Sequence, residues 1–154
     1  MAVDLPHLLT RADALLSRLE ALLPHPVTAP DWQAAVAWRY RKRGGAGTLE
    51  PVRQLGGIRL ADLKEVDAQK ERLVRNTAQF VAGREANNVL LTGARGTGKS
   101  SLIKACLNEF SPRGLRLIEV DKADMIDLPD LADLVAGRPE RFIVFCDDLS
   151  FEEG

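Results

Sequence analysis

Eight consecutive residues, Gly93-Ala94-Arg95-Gly96-Thr97-Gly98-Lys99-Ser100, fit the pattern G-x-x-x-x-G-K-[ST] at every required position. Glycines let a backbone turn tightly and aim consecutive N–H groups inward, which makes a concave nest for anions. A helix beginning near Gly98 would point its unpaired N–H groups and positive dipole end at the same anion. Lys99 supplies a mobile cation suited to β- and γ-phosphates, and the Ser100 hydroxyl suits a Mg²⁺ ion. The chemistry implied is binding of a nucleoside triphosphate, ATP with Mg²⁺.

Such a site needs a carboxylate on the far side of the metal. Asp147 directly follows the apolar run Phe142-Ile143-Val144-Phe145-Cys146, at the end of what reads as a buried strand. A carboxylate there reaches Mg²⁺ directly or through water, in the crevice where open α/β sheets bind ligands. Asp148 stands next and is the candidate for orienting or deprotonating an attacking water. Glu152 and Glu153 are alternatives for that role, although solvated loop carboxylates would look the same.

The surrounding elements must position these groups. Val89-Leu90-Leu91 is too short for a helix and runs straight into the glycines, as a buried parallel strand does. Helix is expected over 100–110, strand over 115–120, helix over 128–136 and strand over 142–146. Asp67 to Val81 reads as another helix, with Leu73, Val74, Thr77, Phe80 and Val81 inward and Gly83 as its stop. Alternation of this kind implies an α/β fold built on a doubly wound parallel sheet. Two helices are expected before it. Residues 4–23 carry leucines at spacings of three and four, with Asp4 as N-cap and Pro24-His25-Pro26 as the stop. A second helix is expected from Asp31 through Trp32, Val36 and Tyr40 to about Lys42. Gly44-Gly45-Ala46-Gly47 then marks 44–57 as a linker, so an N-terminal helical region over 1–48 precedes a domain over 49–154.

Bulk properties narrow the classes. The chain has 154 residues and a net charge of −1, with 45% hydrophobic and 28% charged residues, as expected for one packed domain plus a helical arm. No apolar run is long enough to cross a bilayer, and no secretory leader precedes the first helix, so a cytoplasmic location is expected. Cys106 and Cys146 lie in apolar stretches without metal-ligand spacing and read as buried reduced thiols. Charge is uneven: residues 1–118 sum to +7 and residues 119–154 to −8. The compact basic cluster Arg39, Arg41, Lys42 and Arg43 reads as solvated cations at a helix C-terminus, and nucleic acid is not otherwise indicated.

The run from Asn87 through Ser101-Leu102 resembles a bacterial AAA+-type P-loop ATPase family of uncharacterised role. So do Gly114 to Lys122 and Phe142 to Glu153. The resemblance covers roughly 50–154 and is faint over 1–48. It implies that Gly93 to Ser101 hold the phosphates, that Asp147 is the Walker B carboxylate, and that Val66 and Asp67 contact adenine. Glu65 replaces the usual small residue at that last place. It further implies ATP hydrolysis coupled to conformational change in a partner protein, and, by analogy, a ring of copies. AAA+ proteins continue past Walker B with further strands, an arginine finger and a lid. The expectation is therefore an incomplete sheet in a truncated chain, able at most to bind nucleotide.

Three other readings share these residues. A P-loop kinase would need phosphoacceptor contacts and an arginine-bearing lid, and neither is identifiable. A GTPase switch would carry D-x-x-G, yet Ser150 lies three beyond Asp147 and Phe151 three beyond Asp148. A non-catalytic nucleotide-binding interaction module would use the 1–43 region as a docking arm, and ATP turnover separates it from an enzyme.

Overall fold

A computed structural model describes residues 3–23, 26–64, 67–84 and 98–146. Among these, helices α1 (Leu5–Leu22), α2 (Asp67–Val81), α3 (Lys99–Phe110) and α4 (Leu128–Val135) accompany strands β1 (Ala37–Arg43), β2 (Ala46–Pro51), β3 (Leu115–Glu119) and β4 (Arg141–Phe145). The strands form one sheet in the order β2-β1-β3-β4. β1 and β4 each run parallel to β3, while β2 runs antiparallel to β1. The fold is thus α/β with a mixed, mostly parallel sheet, which corrects the expectation of a purely parallel one.

The largest correction falls on residues 31–57. The helix expected over 31–42 is instead a loop leading into β1. Trp38 and Tyr40 alternate with Arg39 and Arg41, a period of two that puts both aromatics on one face of a strand. Gly44 and Gly45 both have positive φ, 58° and 83°, and link the paired residues Arg43 and Ala46. That is the two-residue hairpin turn whose twist matches its flanking strands, and it needs residues that tolerate the left-handed region. The expected linker therefore begins as a hairpin, and position 48/49, expected as a boundary, falls within β2.

Each side of the sheet packs its own cluster. Ala37, Leu115 and Leu117 meet Leu73 of α2 and Leu102, Ile103, Cys106, Leu107 and Phe110 of α3. On the opposite side Trp38, Tyr40, Ile118 and Val120 meet Leu131 of α4 and Trp32. Trp32 makes edge-on contacts with Trp38 at 5.7 Å and with Phe142 at 4.7 Å between ring centroids, which anchors the loop before β1. The inward residues expected of α2 are in place: Leu73 and Thr77 are buried, and Val74, Phe80 and Val81 pack against the core.

Buried polar groups tie the loops to this frame. Arg116, only 6% exposed, donates from Nε to the Trp32 carbonyl at 2.8 Å and from Nη1 to the carbonyls of Ser111 and Leu115. Its Nη2 donates to Gln33 Oε1, and Gln33 Nε2 donates in turn to Glu140 Oε1 at 2.9 Å. The Arg138 guanidinium beside Glu140 holds that carboxyl below its usual range against the opposing effect of burial. A depressed carboxylate stabilises the fold above the unfolded value of roughly 4.3, and this is lost as pH falls through the lower folded value.

The basic cluster sits on β1 and finds acidic partners, not a helix end. Arg39 pairs with Glu119, Arg41 and Arg43 with Glu50, and Lys42 with Asp127. Tyr40 donates its hydroxyl to Asp127 Oδ2 at 2.9 Å. Burial first, and then this bond and the Asp127 charge, push the phenol up to about 12. The sign is that of an acid held neutral: the contribution is complete below about 10, the unfolded value, and lost as pH rises towards 12. Tyr40 is the one tyrosine in the sequence, so tyrosinate absorbance reports it alone. An alkaline titration is expected to show a midpoint near 12, and a midpoint at the ordinary value would mean that the hydroxyl is not held.

Gly47 is set by the same tyrosine. A Cβ there would come within 2.6 Å of the Tyr40 ring. Gly47→Ala is expected to destabilise by about 1–3 kcal/mol through overpacking, read from the denaturant midpoint. Two smaller expectations are also amended, and a third holds among the described helices. Asp4 occupies the N-cap position of α1 but makes no side-chain cap bond. Cys106 is buried as expected, whereas Cys146 is only half-buried. No described helix is long and apolar enough to cross a membrane.

Candidate functional site

The front of α3 is the described part of the glycine-rich motif. Gly98 precedes the helix with φ +81° and ψ 10°, the left-handed region that favours glycine, and Lys99 is the first helical residue. The Gly98 carbonyl accepts the first helical bond from the Leu102 N–H at 2.9 Å. Gly98, with no side chain, offers no N-cap acceptor to the first-turn N–H groups. An uncapped helix start behind a left-handed glycine suits an anion, and Ser100 and Ser101 sit in that first turn. Gly93, Ala94, Arg95, Gly96 and Thr97 lie outside the described residues, as does the strand expected over 89–91.

What holds α3 in place is its inner face. Leu102, Ala105, Cys106, Leu107 and Phe110 are all buried at 4% exposure or less. Cys106 donates to Thr77 Oγ1 of α2 at 3.4 Å, and burial pushes its thiol up despite that contact. Asn108 donates from Nδ2 to the carbonyls of Gly56 and Ile58, while Lys70 donates to the carbonyls of Leu60 and Leu63. Residues 56–63, which lead towards the expected adenine contact at Val66 and Asp67, are therefore pinned to α2 and α3. Asp67 begins α2 with its side chain 80% exposed and 3.6 Å from Lys70, whereas Val66 lies outside the described residues.

A cavity of about 150 Å³ opens between the α3 side of the sheet and the start of α3. Ser100, Lys104, Arg39, Gln54, Glu119 and Phe145 all line it. Arg39, Glu119 and Phe145 lie on one level across the sheet: Arg39 registers with Glu119, and Glu119 with Phe145. Arg39 donates from Nη2 to Glu119 Oε2 at 3.1 Å. Both side chains are partly exposed, at 41% and 29%, so the pair adds at most about 1 kcal/mol to stability. The cavity has room for about five waters at ~30 Å³ each, or one phosphoryl-sized group.

Sequence reasoning located Ser100 but missed Arg39, Gln54, Lys104 and Glu119. Glu119 could have been found, because it stands near the C-terminal edge of a recognised strand, where ligands bind in such sheets. Arg39 was hidden by the mistaken helix. β4 ends at Phe145 on that same level, with Cys146 after it. Asp147, Asp148, Glu152 and Glu153 lie outside the described residues. Among the described residues, no group of three or more His, Cys, Asp or Glu side chains could hold a metal.

Comparison with known families adds a further finding: residues 33–154 match the family described as Protein of unknown function (DUF815). The chain belongs to this family. The DUF815 match takes in the hairpin, the whole sheet, the glycine-rich motif and the Asp147-Asp148 pair, and it leaves α1 outside. The DUF815 match thus runs from β1 and β2 through α3 to β4. No curated protein and no solved structure matches the chain.

Proposed function

We propose that this chain binds ATP–Mg²⁺ through Gly93 to Ser100 and belongs to an AAA+-like ATPase that couples hydrolysis to conformational change in a partner protein. One observation carries the reading. The residue before α3 is a left-handed, uncapped glycine, followed directly by the lysine and serine that phosphate and Mg²⁺ chemistry needs. The P-loop NTPase fold and its AAA+-like variant belong to this proposal. They are supported by a mostly parallel sheet with helices packed on both sides.

In this reading the N–H groups at the front of α3, with those of Gly93 to Thr97, hold the β- and γ-phosphates. Lys99 offsets their charge. Mg²⁺, when bound, would neutralise phosphate charge and would be held by Ser100 and Asp147. Asp148 accepts the proton of the attacking water, and Val66 and Asp67 flank the adenine. Arg39 and Lys104 add positive potential beside Ser100, and Glu119 tempers it.

Turnover tests the catalytic half of the proposal. Asp148→Asn is expected to keep ATP affinity within about threefold while hydrolysis falls by about 10² or more, the usual weight of a general base. Equal hydrolysis by Asp148→Asn and the parent chain would remove Asp148 from that role. Binding without hydrolysis by either protein, measured in a chain that also supplies the arginine finger and lid, would favour a non-catalytic nucleotide-binding module.

A further inference from the structure

α1 presents a second feature, independent of the nucleotide site. None of its 18 residues is buried. Leu5, Leu8, Leu15, Leu19 and Leu22 are 52–81% exposed, and Leu9, Leu16 and Leu23 beside them are similar. Leucines belong inside, and a contiguous apolar face of this size marks a contact surface. α1 also lies outside the residues matched to the DUF815 family.

The spacing says what kind of contact it is. Leu5, Leu8, Ala12, Leu15, Leu19 and Leu22 follow one another at intervals of three, four, three, four and three. That alternation averages 3.5 residues and can keep one seam turned towards a partner helix. Leu9, Leu16 and Leu23 widen the seam on one side. Its two borders differ in charge: Arg11 and Arg18 line one, Asp13 and Glu20 the other.

We propose that α1 pairs in parallel with α1 of a second copy of this chain, through the seam of Leu5, Leu8, Leu15, Leu19 and Leu22. A two-fold axis along a parallel pair sets the Arg11–Arg18 border of one copy against the Asp13–Glu20 border of the other, on both sides. An antiparallel pair would set like charges together. The sequence charges are therefore self-complementary in a parallel pair and oppose the antiparallel one. A lipid surface fits less well, because interfacial helices carry Lys- and Arg-rich polar faces and the charged side chains of α1 within Leu5–Leu22 sum to zero. At 18 residues the helix is about 27 Å long and marginal alone, so pairing and helix formation are coupled and the association depends on concentration.

Sedimentation velocity on the full chain across the micromolar range tests this. A monomer–dimer equilibrium is expected, with helical circular dichroism rising as dimer forms. Leu15→Asp should weaken association by about 100-fold or more by forcing a charge into the seam, while the domain's melting midpoint, read at dilutions where both proteins are monomeric, stays unchanged because Leu15 is exposed in the single chain. The double variant Arg11→Glu/Arg18→Glu should also weaken it, and adding Asp13→Arg/Glu20→Arg should restore it. A monomer at every concentration overturns the proposal, as does a dimer indifferent to Leu15→Asp. A dimer indifferent to the double variant overturns the parallel arrangement. A monomer that binds phosphatidylcholine vesicles, and loses this in Leu15→Asp, overturns it in favour of a membrane surface.

Discussion

Lys99→Ala is expected to weaken ATP–Mg²⁺ binding by about 100-fold or more. The ammonium would make charge-assisted bonds to the β- and γ-phosphates, and each such bond contributes about 1.5–3 kcal/mol. Two of them together come to about 3 kcal/mol or more, and every 1.4 kcal/mol is a factor of about ten in affinity. Stability should barely move. Lys99 is only half-buried, and a single partly exposed cation changes folding free energy by about 1 kcal/mol at most. Titration of nucleotide into both proteins, with melting curves alongside, separates the two effects. Equal affinities in two well-folded proteins would mean that Lys99 does not meet phosphate.

Leu107→Ala is expected to cost about 3 kcal/mol, within the range of about 2–5 for buried leucines. Leu107 is fully buried in the cluster that joins α3 to α2 and β3, so the lost side chain leaves a cavity that its neighbours cannot all close. For a chain of this size that lowers the melting midpoint by about 10 °C. Because α3 carries Gly98 to Ser101 at its front, the same change should loosen the nucleotide end as well. Leu15→Ala is the matched control: the same chemistry on the exposed face of α1 should leave the domain's melting midpoint almost unmoved. Similar losses from both would show that α1 packs on its own chain.

Much of the frame around the candidate site was legible because local and global signals agree there. α2 was expected over its observed residues, and α3, β3, α4 and β4 lie within one residue of expectation at each end. Each is an apolar stretch of the right length, bounded by glycine, proline or charge. Residues 31–57 were not legible for a physical reason. Trp32, Val36 and Tyr40 recur every four residues as on a helix, while Trp38 and Tyr40 alternate with arginines as on a strand. Tertiary packing decided the contest. Trp32 buries itself edge-on against Trp38 and against Phe142 of β4, and Gly44-Gly45 supplies a turn that lets β1 pair with β2 on one side and β3 on the other.

The candidate site divides along the same line. Lys99 and Ser100 were readable from their spacing to glycine, because a phosphate nest is made by contiguous backbone. Arg39 and Glu119 are 80 residues apart and meet only because the sheet sets their strands side by side. Nothing in local spacing could announce that pairing. The exposure of α1 was likewise hidden, since a leucine stripe looks the same whether its own domain or another chain covers it.

The most direct test of the central claim is calorimetric titration of ATP–Mg²⁺ into this chain, with circular dichroism on the same sample. The account predicts saturable binding of one nucleotide per chain, lost in Lys99→Ala. A chain that melts cooperatively and yet takes up no nucleotide would contradict it.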